Sequence, residues 1–236
     1  MVDAPPLLFQ PSLLAVGPVR SDTSFAEAER IEVGQGAWID HVPGWLAGAD
    51  ELFASLLGTV EWSQREVTMY GNRVAEPRLS AWWGDEEGPT TSHLAQAPTE
   101  LRRLMPLLDA RYERGFDAVG LNLYRDGHDS VAWHGDRFER TRPVTVVAVL
   151  SLGSPRRFLL RPTGGGRSRR FEMHSGDLLV MGGTCQHTQQ HCVPKVACAG
   201  PRMSATFRRR VRPASGRPSS RPATTGSGDR PPPAQA

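Results

Sequence analysis

The sequence predicts a mixed α and β domain with a mainly β core, a double-stranded β-helix (jelly roll) buttressed by N-terminal helices. Three observations predict it. Two helical stretches come first, a run of short strand-like segments follows, and three of those segments alternate so that polar side chains share one face and apolar ones the other. Helices can then cover one face of the strands while the polar faces line an interior.

Residues 1–25 read as an irregular segment. After Pro43-Gly44 a helix carries Leu46, Ala49, Leu52, Phe53, Leu56 and Leu57 on one stripe. A second helix carries Leu101, Leu104, Met105, Leu108 and Tyr112, with Pro106 expected to kink it because proline lacks the N–H that a helix interior uses. Strands are expected over 118–124, 130–136, 144–152, 157–161, 169–173, 177–181 and 203–208, and Thr163-Gly-Gly-Gly166 joins two of them as a hairpin. No internal repeat is evident.

With 236 residues the chain is most simply one domain with an ample core. Its three cysteines cannot all pair with one another, and prolines split the early Leu7-Leu8 and Leu13-Leu14 pairs, so neither a basic apolar leader nor a membrane-length apolar run is read; a cytoplasmic protein is expected. The formal charge is +3, but residues 209–236 hold six Arg against Asp229, which leaves the rest of the chain nearly neutral. That Pro/Ser/Gly/Thr-rich tail is expected to be disordered, as a solubilising end or as a basic tether for nucleic acid. Lys195 is the only lysine, so the arginine excess by itself says little about phosphate binding.

The chemistry concentrates near the C-terminal end of the ordered region. In His134-Gly135-Asp136, residues i and i+2 of one strand point the same way and can grip one metal, with Val131 and Trp133 on the opposite face. With His191 they supply two imidazoles and one carboxylate, a set that caps one face of an octahedral Fe(II) and leaves positions for a cosubstrate and dioxygen. Further on, Arg202, Ser204, Thr206 and Arg208 share a face opposite Met203, Ala205 and Phe207, and before the motif Asn122 and Tyr124 lie opposite Leu121 and Leu123. Planar, permanently charged guanidiniums on an inward face suit bidentate capture of a dicarboxylate. A lone His-x-Asp is common in solvated loops, and lone arginines often solubilise an edge strand, so the ordered set carries the reading. Cys185, His187, His191, Cys192 and Cys198 form a competing cluster for a structural zinc, although no CxxC pair is present.

Taken together, Asn122-Leu-Tyr124-Arg-Asp-Gly127, His134-Gly-Asp136, Gly176-Asp-Leu-Leu-Val-Met181, Gln190-His191-Cys-Val-Pro194-Lys195 and Arg202-Met-Ser-Ala-Thr-Phe-Arg208 resemble the AlkB family of Fe(II)/2-oxoglutarate-dependent nucleic-acid dealkylases. The likeness spans about residues 116–208, with weaker similarity back to Trp38. It implies that His134, Asp136 and His191 hold Fe(II), and that Arg202 and Tyr124 fix the distal carboxylate of 2-oxoglutarate. Asn122 and Arg208 then meet the iron-chelating end; Ser204 stands where many relatives have Asn.

The same likeness places a nucleotide-recognition lid at about 62–93 within a catalytic domain at 26–208. Tyr70 is then a wedge into the base stack, Arg78 a holder of a phosphate or of the unpaired partner base, and Trp83 a border of the flipped-base pocket. Plain half-buried strand aromatics are the alternative for Trp82 and Trp83. Two departures stand out: Gly88-Pro-Thr-Thr-Ser-His93 replaces an aromatic run, and Arg137-Phe138 intervenes before Glu139, where relatives place an acidic residue sooner. The function implied is oxidative demethylation of 1-methyladenine or 3-methylcytosine in single- or double-stranded DNA or in RNA, releasing formaldehyde, by a monomer that uses Fe(II), 2-oxoglutarate and dioxygen. Two alternatives remain open at this point: the same cofactor chemistry directed at a protein side chain or small metabolite, and a non-catalytic nucleic-acid-binding protein with a structural metal.

Overall fold

The computed structural model describes residues 17–69, 71–84, 91–135 and 144–209. In chain order the elements are β1 (Arg20–Ser21), β2 (Glu29–Gly34), β3 (Ala37–Val42), β4 (Leu46–Ala47), α1 (Ala49–Thr59), β5 (Glu66–Met69), β6 (Asn72–Ala75), β7 (Leu79–Trp83), β8 (Thr91–Ser92), α2 (Thr99–Tyr112), β9 (Ala118–Tyr124) and β10 (Val131–His134). They continue with β11 (Val147–Gly153), β12 (Arg156–Pro162), β13 (Arg169–Met173), β14 (Leu178–Gly183), the one-turn α3 (Cys185–Thr188), β15 (Gln189–Val193) and β16 (Arg202–Arg208).

Among the described residues the strands form a major sheet of order β2-β3-β14-β11-β16-β9-β7-β8 and a minor sheet of order β10-β15-β12-β13. The short pairs β1-β4 and β5-β6 stand outside them. Alternation along the major strands gives each face its own apolar set. Leu121, Leu123, Leu150, Leu152, Met203, Ala205 and Phe207 join Leu52, Phe53 and Leu56 of α1 and Leu101, Leu104 and Leu108 of α2 in one core. Tyr124, Val147, Val149, Leu179 and Met181 face the other way and meet Phe158, Leu160, Phe171 and Val193 of the minor sheet in a second core. The jelly roll with helices on one side is therefore as the alternation predicts.

Three details differ from the sequence reading. Leu46 does not start the first helix; it lies in β4, and Gly48, at φ 66°, turns the chain into α1. A side chain at Gly48 would collide with the backbone of Gly17 and Pro18, so glycine is required there. The second helix continues through Pro106 to Tyr112 as one element. Finally, β1 falls inside the stretch read as irregular and pairs with β4, while β2 and β3 add an edge that the sequence signal missed because β2 is half-exposed or exposed along its length. The C-terminal tail beyond residue 209 lies outside the described residues.

Buried carboxylates tie the layers together. Asp177, just before β14, accepts hydrogen bonds from the backbone N–H of Gly44 (2.8 Å) and of His174 (2.8 Å), with His41 Nε2 3.8 Å away. Asp50 of α1 accepts from Ser175 Oγ (2.6 Å), which in turn accepts from the Gly153 N–H (3.0 Å). Burial pushes the Asp177 carboxyl up, but His41 and the two backbone donors outweigh it and hold its pKa below the usual carboxylate range. A folded-state pKa below the unfolded one means that the stabilisation is fully present above the unfolded pKa and is lost as pH falls through the folded one. Asp177→Asn is therefore expected to destabilise the protein by about 1–3 kcal/mol at neutral pH. The gap from the wild type should narrow below about pH 4 in denaturant titrations across pH.

Candidate active site

The site grows from two adjacent major strands and two adjacent minor ones. Between β9 and β16 the register sets Tyr124 opposite Arg202, Asn122 opposite Ser204 and Gly120 opposite Thr206, so polar side chains form two columns on the face turned toward the minor sheet. Across the gap, β10 and β15 pair His134 with His191. All of these except Gly120 line one pocket of about 70 Å³ that opens to solvent, with Val149, Phe158 and Val193 also in its lining.

The imidazoles face each other, with ring centroids 4.3 Å apart and planes at 58°. His191 is 6 % exposed and stacks on Phe158 at 5.1 Å, which fixes its ring plane. His134 Nδ1 lies 2.9 Å from the Ala132 carbonyl oxygen. Donation from Nδ1 leaves Nε2 with its lone pair, the form in which histidine binds a metal. One step of the alternation fails here. Val131 lines the same pocket as His134, because the pairing slips between Val131↔Val193 and His134↔His191. The extra residue on β10 is a bulge, and it re-aims the imidazole. Asp136, the expected third ligand, lies outside the described residues. Among the described residues no three His, Cys, Asp or Glu side chains are arranged to hold a metal, the cysteine-rich cluster included. Cys185 packs in the inter-sheet core, Cys192 is a buried thiol whose pKa burial raises, and Cys198 is exposed.

Arg202 is the most constrained charge in the pocket. It is 1 % exposed, donates from Nε to Ser151 Oγ (3.2 Å) and lies 5.1 Å from the Tyr124 ring. Its Nη1 is buried with no protein acceptor. Burial lowers its pKa, the mark of a cation short of compensating anions. A dicarboxylate end completes such a site with charge-assisted hydrogen bonds.

The remaining candidates divide. Arg78 lines the pocket and donates from Nε to Asn122 Oδ1 (3.0 Å), while Glu76 holds its Nη2 at 3.0 Å. With its oxygen engaged by Arg78, Asn122 keeps its N–H donors for an anion. Arg208, on the same strand face as Arg202, stacks over the Trp82 ring at 4.2 Å. Trp83, at 8 % exposure, points into the helix-side core, while Trp82 takes the site face. Tyr70 lies outside the described residues, as do 88–90 of the altered lid and Arg137, Phe138 and Glu139.

Sequence reasoning missed Arg156. It is 2 % exposed and donates to the carbonyls of Asp126 (2.9 Å), Asp129 (2.9 Å) and Pro194 (2.7 Å). It thereby ties the segment entering β10 to the one leaving β15, the two strands that carry the histidines. No local pattern announces it, since its acceptors are backbone carbonyls from distant loops.

Residues 41–212 match the model of the 2OG-Fe(II) oxygenase superfamily. The chain is 33 % identical to alpha-ketoglutarate-dependent dioxygenase alkB homolog 3 of Bos taurus over 70 % of its own length and 64 % of that protein's, and 33 % identical to its Homo sapiens counterpart over 68 % and 61 %. It thus spans less than two thirds of those relatives. DNA oxidative demethylase ALKBH2 of Arabidopsis thaliana is 27 % identical over 84 % of this chain and 74 % of that protein. The solved structure of OsALKBH1 superposes with a TM-score of 0.53 at 15 % identity, covering 77 % of this chain and all of that one, a likeness of fold.

Replacing Arg202 by Met removes a buried charge without leaving a void. Arg202→Met is expected to keep or raise the melting temperature of the ligand-free protein, because an apolar isostere lacks the desolvation cost of an underpaired cation. The same substitution should weaken 2-oxoglutarate binding about thirtyfold or more, measured by calorimetric titration.

Proposed function

Because the chain belongs to the 2OG-Fe(II) oxygenase superfamily, and within it to the AlkB family, we propose that it oxidatively demethylates N-alkylated nucleobases of the 1-methyladenine or 3-methylcytosine type in DNA or RNA. The observation that carries this reading is the placement of a buried, incompletely paired Arg202 and a facing His134–His191 pair in one pocket. Bound iron supplies the oxidation of the methyl C–H bond, with 2-oxoglutarate and dioxygen as cosubstrates.

The chain's own part is geometric and electrostatic. His134 and His191 present imidazole nitrogens to one ion, with Asp136 as the third ligand. Arg202, beside the Tyr124 ring, takes the far carboxylate, and the Asn122 amide, Ser204 and Arg208 orient the near end. The Arg78–Asn122 contact links that cosubstrate column to the strand after the β5-β6 hairpin, the region through which a flipped base enters. The two lesions named block base pairing, which makes the base easier to extrude. Tyr70 is the wedge into the base stack. In this reading the protein acts as a monomer in the cytoplasm. Among the described residues no helix is long and apolar enough to cross a membrane.

The test is formaldehyde release from methylated DNA and RNA oligonucleotides with Fe(II), 2-oxoglutarate and air. The expected result is product from 1-methyladenine or 3-methylcytosine and at least about a hundredfold loss in Asp136→Ala, since removing one of three protein ligands opens the metal's face. Turnover of 2-oxoglutarate with no product from any oligonucleotide would redirect the same chemistry to a protein or small-molecule substrate. No turnover at all would leave only nucleic-acid binding.

A further inference from the structure

We propose that Trp82 is a positioning residue that holds the Arg208 guanidinium, through a floor laid over Gly120, in place for the carboxylate of the cosubstrate. The inference rests on the 2-oxoglutarate reading above.

Register and the size of one residue carry it. β7, β9 and β16 are neighbours, and Trp82, Gly120 and Thr206 lie in one row across them. Thr206 lines the pocket, and Arg208 follows two residues on, hence on the same face. Opposite Arg208 the middle strand offers only the methyl of Ala118, and diagonally, at Gly120, no side chain at all, so the way to the β7 row is open. Any Cβ at Gly120 would run into the six-membered ring of Trp82, so the indole lies flat on β9 and fills the space that a side chain would take. Arg208 Cζ then sits 4.2 Å above that ring.

The consequence is preorganisation. A free arginine side chain loses much rotamer entropy when it clamps a ligand, whereas one already resting on an aromatic face loses little. The arrangement mirrors the other end of the site, where Arg202 lies beside the Tyr124 ring at 5.1 Å. Each of the two guanidiniums on β16 thus has an aromatic neighbour, Tyr124 from the adjacent strand and Trp82 from one strand further, reached across glycine.

A double-mutant cycle tests it. Affinity for 2-oxoglutarate is titrated on protein loaded with Mn(II), for wild type, Trp82→Leu, Trp82→Phe, Arg208→Met, and Trp82→Leu combined with Arg208→Met. Trp82→Leu is expected to weaken binding about three- to tenfold, and Trp82→Phe less, because a smaller aromatic face still attracts the cation. Gly120→Ala should reproduce the Trp82→Leu loss with both partners present, since the added methyl lifts the ring. In the Arg208→Met background, Trp82→Leu should add no further loss. In turnover, KM for 2-oxoglutarate should rise in Trp82→Leu while that for the oligonucleotide stays put. Wild-type affinity in Trp82→Leu, or losses that multiply independently with Arg208→Met, would overturn the proposal. Trp82→Phe and Gly120→Ala carry the same comparison if Trp82→Leu does not fold. Failure of the wild type itself to bind 2-oxoglutarate would overturn the cosubstrate reading as well, which separates the two failures.

Discussion

A guanidinium stripped of water must recover its hydration energy from fixed partners, and the architecture turns on where two buried arginines find them. Arg156 finds three backbone carbonyls, from Asp126, Asp129 and Pro194, which leave only its Nε without a partner, and so belongs to the scaffold. Arg202 finds the Ser151 hydroxyl and the Tyr124 side chain, and keeps a buried Nη1 without a protein acceptor. A dianionic ligand would supply the acceptors that Arg202 lacks. The two are coupled in space, since both guanidiniums approach the Tyr124 ring, at 5.7 and 5.1 Å. The cation that holds the histidine strands therefore stands next to the cation proposed to hold the ligand.

The two-sided sheet makes this affordable in packing terms. Helices α1 and α2 bury one face of β9, β11 and β16 with aliphatic side chains, so the opposite face is free to hold polar groups without loss of the main core. The minor sheet then closes over that face only partly, through Phe158, Leu160 and Val193, and the gap it leaves is the pocket. The imidazoles proposed to hold the metal come from the minor sheet, and the groups proposed to take the anion come from the major one. A ligand that chelates the metal at one end and meets Arg202 at the other bridges the two sheets.

Much of this was legible in the chain. Strict alternation in 118–124 and 202–208 assigned Asn122, Tyr124, Arg202, Ser204, Thr206 and Arg208 to one face, and the register places them there. Alternation failed at Val131 because a bulge is a local insertion in pairing, which a single strand's sequence does not record. The same parity argument applied to Leu79-Ser-Ala-Trp-Trp83 would have set Trp82, with Ser80, on the polar face and sent Trp83 with Leu79 and Ala81 into the core. Arg156 and Ser151 were illegible because their partners are set by long-range pairing rather than by neighbours in sequence. The N-terminal strands were missed for a different reason: β2 carries no fully buried residue to mark a period.

The central claim is that one pocket binds a metal and a dicarboxylate together, each through the sheet assigned to it. Visible absorption under anaerobic conditions reads both at once, because a 2-oxo acid that chelates Fe(II) produces a metal-to-ligand charge-transfer band that neither component gives alone. The account predicts that the band forms with the wild type on addition of Fe(II) and 2-oxoglutarate and is absent in His191→Ala, while Cys185→Ser combined with Cys192→Ser retains it. A wild type that shows no band, or a band that survives loss of His191 and vanishes with the two cysteines, would contradict it.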